Sequence, residues 1–308
     1  MILEQSTMDS KKTTELYVNS PWGKIAVVTW GSPENHPMLL LHGYLDTAAT
    51  FTFLVNKLPD SYYYVGVDIP GHGKSEPFPP GILVAKLHVV EVIRLVVEHM
   101  KWKSFTFLSH SMSCIIGILY NTFYPGSIEQ MIFLDPKPAL AWYPVINDHT
   151  ALWYKVIYNN YYENYQKLNF SKPKSQTYES WIKSVARTRN LTKEQSEIVM
   201  SRSFIPTLND TFRLTWEQRV KYLAHLGIST ETLYTIMTKL PPTLIVNASE
   251  YVEFVKIPGA KTSAENLLKK CEENVPNFCI VTVTGGHDFH ITNPECTAHQ
   301  VENFLITK

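Results

Sequence analysis

Three segments of this chain carry residues of the types, and at the spacing, that acyl-transfer chemistry needs. Ser104-Phe-Thr-Phe-Leu108 reads as a short buried strand, Ser109-His-Ser-Met-Ser113 follows at once, and Cys114-Ile-Ile-Gly-Ile-Leu-Tyr120 reads as an apolar helix. A serine on the sharp turn between a strand and a helix is a nucleophile elbow, with Ser111 at its apex. The residues two before and two after must be small, because the backbone closes tightly there. Here they are Ser109 and Ser113, where glycine is usual. The plainer reading of a serine in this place is a helix N-cap.

A serine hydroxyl is a poor nucleophile without a base within hydrogen-bond reach. Gly285-Gly-His287-Asp-Phe-His290 follows the last apolar run, so a histidine there can swing over the carboxyl edge of a sheet. His287 is assigned as the general base, with His290 as its rival. An acid must then orient the imidazole. Asp135 directly follows Met131-Ile-Phe-Leu134 and is preferred. The alternative acid is Glu250, in Leu244-Ile-Val-Asn-Ala-Ser-Glu-Tyr251, where Tyr251 falls at the position usual for Asp.

His42-Gly43-Tyr44 follows the apolar run Met38-Leu-Leu-Leu41, so the Tyr44 and Met112 N–H groups are the expected oxyanion donors. Met112 also stands at a helix N-terminus, where the dipole favours negative charge. Asp68 and His72, in Asp68-Ile-Pro-Gly-His-Gly-Lys-Ser75, are assigned to loop structure, because the acid follows the serine along the chain in this arrangement.

Positioning these groups requires strands alternating with helices. Residues 15–18 and 24–30 alternate around Pro21-Trp-Gly23, as a hairpin should. Continuous apolar runs at 38–41, 62–67, 105–108, 131–134, 244–246 and 278–283 read as strands buried on both faces. Leu83, Leu87, Val90, Ile93 and Val97 mark a helix over 83–100. Residues 137–240 break the rhythm. They are rich in Trp and Tyr, hold no convincing buried strand, and suggest helices over 151–166 and 176–188. The expected division is a core over 1–136, a helical cap over 137–240, and the rest of the core over 241–308. Tyr44, Trp142, Tyr143 and Trp153 are the candidate substrate-binding residues.

The 308 residues are 44% hydrophobic with zero formal net charge, which gives no electrostatic footprint for nucleic acid or an anionic membrane. Cys114, Cys271, Cys279 and Cys296 have no metal-ligand spacing, so no metal and no organic cofactor are expected, and free thiols are favoured over a disulfide. No membrane span and no leader pattern are evident, which makes a cytoplasmic location the default.

Tyr17-Val-Asn-Ser-Pro-Trp-Gly23, Leu41-His-Gly-Tyr-Leu-Asp46, Tyr62-Tyr-Tyr-Val-Gly-Val-Asp68, Gly71-His-Gly73, Ser109-His-Ser-Met112 and Leu134-Asp135 together resemble the serine hydrolase-like proteins of animals, including the kraken-like members of insects. The resemblance is dense over residues 15–140 and returns at 285–295. It implies an α/β-hydrolase fold, with a mostly parallel sheet of about eight strands flanked by helices and a helical cap after the sixth strand. It also implies a serine nucleophile, lends weight to an acid after the sixth strand, and admits a peroxisomal location. The related dehalogenases and epoxide hydrolases carry aspartate at the elbow, so Ser111 sets those activities aside. The expected function is a serine hydrolase acting on an ester-like bond of a small or medium apolar substrate. The alternative is a catalytically weak protein of this fold that binds an apolar ligand under its cap.

Overall fold

The computed structural model describes residues 11–143, 150–250 and 259–306. The hairpin forms as β1 (Thr13–Ser20) and β2 (Gly23–Trp30), followed by β3 (His36–Leu41), β4 (Tyr62–Val67), β5 (Phe105–His110) and β6 (Ile128–Leu134). Three short strands interrupt the series: β7 (Ser175–Gln176), β8 (Phe204–Pro206) and β9 (Phe212–Leu214). They precede β10 (Thr243–Ala248) and β11 (Phe278–Val283).

The eight long strands make one sheet in the order β1-β2-β4-β3-β5-β6-β10-β11. Pairing is antiparallel at β1–β2 and β2–β4 and parallel from β4 to β11. The apolar runs of β3, β5, β6 and β10 are continuous because both faces are covered, whereas β11, expected to be buried on both faces, lies at the sheet's edge and buries only Phe278 and Val283. The two-residue period sends Leu39, Leu41 and Phe107 into one core and Met38, Leu40 and Leu108 into the other. Each such side chain contributes roughly 1.5–3 kcal/mol when fully buried.

The first core lies under helices α1 (Lys86–His99) and α2 (Met112–Phe123), which bury Val89, Ile93 and Val96, and Ile115 and Leu119. Gly117 on α2 lets the helix approach β5 closely, since a Cβ there would collide with the Phe107 ring. Helix α1 begins three residues later than its apolar spacing suggests. Residues 83–85 are drawn out instead by a bridge between Ala85 and Ala224, with Ala224 N–H donating to Val84 O at 2.9 Å. Lys86 is carried inside by this, its Nζ 2.9 Å from His225 Nδ1, and burial pushes its amine down to about 7.

Between β6 and β10 lies the insertion. Its helices include α3 (Tyr178–Arg189) and α4 (Lys193–Met200), whose N-termini are capped by Thr177 and Thr192. The helix expected over 151–166 is broken into short helical pieces, with a π-helical turn at Lys155–Asn159. The insertion is not purely helical, because β7, β9 and β8 form a small antiparallel sheet. These strands are two or three residues long and mostly half-buried, so they leave no apolar run to read. The far side of the main sheet is closed by α6 (Pro294–Ile306), and α5 (Ala260–Asn274) packs with α1 and α2 in the first core. The four cysteines are free thiols. No helix among the described residues is long and apolar enough to cross a membrane.

Candidate active site

Parallel pairing brings the carboxyl ends of β3, β5, β6, β10 and β11 to one edge, and each end leads into a segment singled out above. Ser111 follows β5 directly, with φ 53° and ψ −118°. That conformation is rare for a residue with a side chain and costs on the order of 1–3 kcal/mol. It is sustained by Ser111 N–H donating to Leu134 O at 2.8 Å and Cys114 N–H donating to Ser111 O at 3.1 Å. The Ser111 side chain makes no cap bond to the helix, so the plain N-cap reading does not hold.

Asp135 leaves the end of β6, the strand beside β5, also at positive φ (45°) and fully buried. Its N–H donates to Val246 O at 2.8 Å, and its Oδ1 accepts from Ala248 N–H at 3.3 Å. Its Oδ2 accepts from His287 Nδ1–H at 2.7 Å. This bond fixes the tautomer, leaving His287 Nε2 as the lone-pair nitrogen. The imidazole is 14% exposed, reached from outside while the carboxylate is not.

The other candidates fall elsewhere. Glu250 is exposed on the loop after β10, its N–H donating to Gly285 O at 3.1 Å, and the pairing with His287 belongs to Asp135. Tyr251 lies outside the described residues. His290 is fully buried, its Nε2 2.9 Å from Thr50 Oγ1, and burial holds it well below the usual imidazole range. Asp68 is a loop organiser, accepting from Ala48 N–H at 2.9 Å, Lys74 N–H at 2.9 Å and the Arg202 guanidinium at 2.8 Å. His72 is buried beside His42, and burial pushes it down to about 3.

The loop after β3 presses against the elbow. A Cβ on Gly43 would stand 3.2 Å from Ser111 Cβ and 2.9 Å from His110 Nδ1. His42 Nε2 accepts from Ile69 N–H at 3.0 Å, so its Nδ1–H donates to Gly43 O at 2.8 Å. Ser113 Oγ donates to His42 O. The serine at the usual glycine position therefore holds the Tyr44 loop against α2, a role its residue type did not reveal. Met112 opens α2, so its N–H has no acceptor within the helix. Gly43→Ala is expected to push this loop off Ser111 and to lower turnover of an activated ester by about 10²-fold, the scale of one oxyanion donor. Thermal melting alongside steady-state kinetics checks that the folded state survives.

Tyr44 is 48% exposed, its Oη 3.5 Å from Lys221 O in the insertion. Trp142 is partly buried against the main core. Tyr143 is fully buried in that core. Trp153 packs on a satellite cluster with Leu83 and Tyr161, away from the main core.

His110, the last residue of β5, carries no sequence signal of a role at the site. Its Nε2–H donates to His287 O at 3.0 Å, and burial pushes its imidazole down to about 4. Among the described residues, His110, Asp288 and His290 are the group whose ligating atoms gather, within 4.8 Å of one another. Both Asp288 oxygens already accept from Arg189, at 3.0 and 2.6 Å, so a cation here would have to displace a guanidinium.

A serine at a strained strand-to-helix apex, with a histidine–aspartate pair at the same sheet edge, is the arrangement this sheet order supports in one large fold class. The chain belongs to the family described as the alpha/beta hydrolase fold, which its residues 36–294 match. Within that class, it is similar to the serine hydrolase-like protein of Danio rerio, 25% identical over 300 residues covering 97% of this chain and 90% of that one. It is also similar to serine hydrolase-like protein 2 of Homo sapiens, 27% identical over 306 residues covering 95% and 94%. The family resemblance read from the motifs is met by these relatives. A hypothetical protein of Pseudomonas aeruginosa PAO1 shares the fold with a TM-score of 0.75 at 21% identity, over 94% of this chain and 97% of that one. The thioesterase domain from the curacin biosynthetic pathway does so with a TM-score of 0.72 at 18% identity, over 94% and 99%.

Proposed function

We propose that this protein is a serine hydrolase that cleaves ester-like bonds through an acyl-enzyme on Ser111. The observation that carries the reading is the 2.7 Å contact of His287 Nδ1 with Asp135 Oδ2, at the sheet edge where Ser111 stands at positive φ. In the first step Ser111 Oγ attacks the carbonyl carbon and its proton passes to His287 Nε2. The Asp135 carboxylate accepts the Nδ1–H bond and stabilises the imidazolium. Negative charge that develops on the carbonyl oxygen is held by the Tyr44 and Met112 N–H groups at the α2 N-terminus. Collapse expels the alcohol, which takes the proton from Nε2, and water repeats the sequence to free the acid and Ser111.

The insertion over 137–240 serves as the cap, dividing the core into 1–136 and 241–308. Its aromatic content and the exposed Tyr44 ring beside it favour a small or medium apolar acyl chain. No organic cofactor enters the proposed steps, and the proposed substrate is a small molecule met in the cytoplasm. A panel of p-nitrophenyl esters of increasing chain length tests this. Turnover that vanishes in Ser111→Ala is expected. Turnover that survives in that variant contradicts the mechanism. Binding of a long-chain ester without any Ser111-dependent turnover would instead support ligand capture under the cap.

A further inference from the structure

We propose that Arg189 is a positioning residue that couples the seating of the insertion to the alignment of the Ser111 site; this rests on the reading of Ser111, His287 and Asp135 as a catalytic triad. Arg189 sits in the last turn of α3, with 20% of its side chain exposed. Its Nε and Nη2 donate to the two oxygens of Asp288, at 3.0 and 2.6 Å. The same Nη2 donates to Asp46 Oδ2 at 2.9 Å. Asp288 is the residue after His287, and Asp46 lies two residues beyond Tyr44. One guanidinium from the insertion therefore grips both the loop of the general base and the loop of an oxyanion donor.

The grip is anchored at each end. Asp46 Oδ1 accepts from Thr47 N–H at 2.9 Å, which fixes the carboxylate to its own loop. On the histidine side, Gln195 of α4 donates from Nε2 to Ile291 O at 3.3 Å. The Ile291 side chain is fully buried in a cluster with Ile182, Leu191, Val199 and Met200 of the insertion. The histidine loop is thus held by α3 through charge and by α4 through packing.

Charge makes the coupling strong. Burial alone would raise the Asp288 carboxyl, but Arg189 overcomes this and holds it well below the usual carboxylate range. Two carboxylates share the one guanidinium, and burial holds the nearby His110 and His290 below the usual imidazole range. Removal of the guanidinium with the insertion still in place would leave two largely buried carboxylates to repel each other, a state far costlier than the loss of an exposed pair. The contact also depends on shape. A planar fork can bond both oxygens of one carboxylate and still reach a second, whereas an ammonium offers a single point of charge.

The test compares Arg189→Met, Arg189→Lys, Arg189→Ala and Asp46→Asn with the unaltered protein, using kcat and KM for a short p-nitrophenyl ester, the rate of fluorophosphonate labelling of Ser111, and thermal melting. Misplacement of the two loops predicts that Arg189→Met lowers kcat and the labelling rate by about 10- to 100-fold. KM for a short ester is expected to change by less than about threefold, since Arg189 is not argued to touch substrate. Arg189→Lys keeps the charge and is expected to recover only part of the loss. Millimolar guanidinium is expected to restore labelling in Arg189→Ala. Should Arg189→Met fail to fold, Asp46→Asn carries the test, because it leaves the Arg189–Asp288 pair intact. A severalfold lower kcat at an unchanged melting temperature is then expected. Unchanged kcat per folded molecule in Arg189→Met, or in Asp46→Asn where that variant alone is folded, overturns the coupling. Absence of labelling in the unaltered protein overturns the triad reading instead, so the two failures are told apart.

Discussion

Asparagine in place of Asp135 is expected to lower ester turnover by about 10⁴-fold while leaving the melting temperature nearly unchanged. The amide is close to isosteric with the carboxylate, so the 3.3 Å bond from Ala248 N–H and the 2.8 Å bond from Asp135 N–H to Val246 O both survive. What changes is the partner of His287. A carboxylate can only accept, so it holds the proton on Nδ1 and keeps the lone pair on Nε2, the atom proposed to take the proton of Ser111. An amide nitrogen turned toward the ring would donate instead, driving the proton to Nε2 and silencing the base. Glu250→Gln should alter turnover by less than about twofold, since that side chain is exposed on the neighbouring loop. Circular dichroism and melting establish that the variants are folded, and steady-state kinetics read the effect. A larger loss in Glu250→Gln than in Asp135→Asn would reassign the acid.

Removal of the base is expected to cost at least as much. His287→Ala should reduce turnover by about 10⁴-fold or more, because Ser111 then lacks any group to take its proton. His290→Ala provides the contrast. Its ring is fully buried against Phe51 and His110, and its bond is to Thr50 Oγ1 at 2.9 Å, so its loss is felt first as packing. We expect a destabilisation of about 1–3 kcal/mol, with turnover per folded molecule reduced far less than in His287→Ala. The two variants, compared at equal active-site concentration, separate a proton carrier from a core histidine. The reverse order would assign the base to His290.

The parts of the molecule that were legible in the sequence are those whose signal is local. Parallel strands show as short continuous apolar runs, so β4 and β11 coincide with theirs residue for residue, although β11, at the edge of the sheet, buries only Phe278 and Val283 and is not covered on both faces as its run suggested. The elbow was legible because strand, small residues, serine and helix are consecutive. Asp135 was legible because it ends a strand neighbouring that of Ser111, although only the sheet order shows that His287, two strands further out, reaches it.

What stayed hidden depends on distance along the chain. Arg189 meets Asp288 and Asp46 across 99 and 143 residues, and its own helix offers no mark to distinguish it from a solvated arginine in a last turn. Ser113 looked like a relaxed glycine position, because its bond to His42 O depends on how β3 and α2 are brought together. The strands β7 to β9 are too short and too open to leave a pattern. The late start of α1 follows from the bridge of Ala85 to Ala224, which no local propensity records.

The central claim is that Ser111 is an activated nucleophile, and covalent labelling by a fluorophosphonate tests it most directly. Reaction requires a serine oxygen with a base at hand and donors for the phosphoryl oxygen, which is the arrangement derived for Ser111, His287, Tyr44 and Met112. Peptide mass spectrometry of the labelled protein is expected to place one adduct on Ser111, with Ser109 and Ser113 unmodified, and the adduct is expected to disappear in His287→Ala. An adduct on a different serine, or none on the folded protein, would contradict the account.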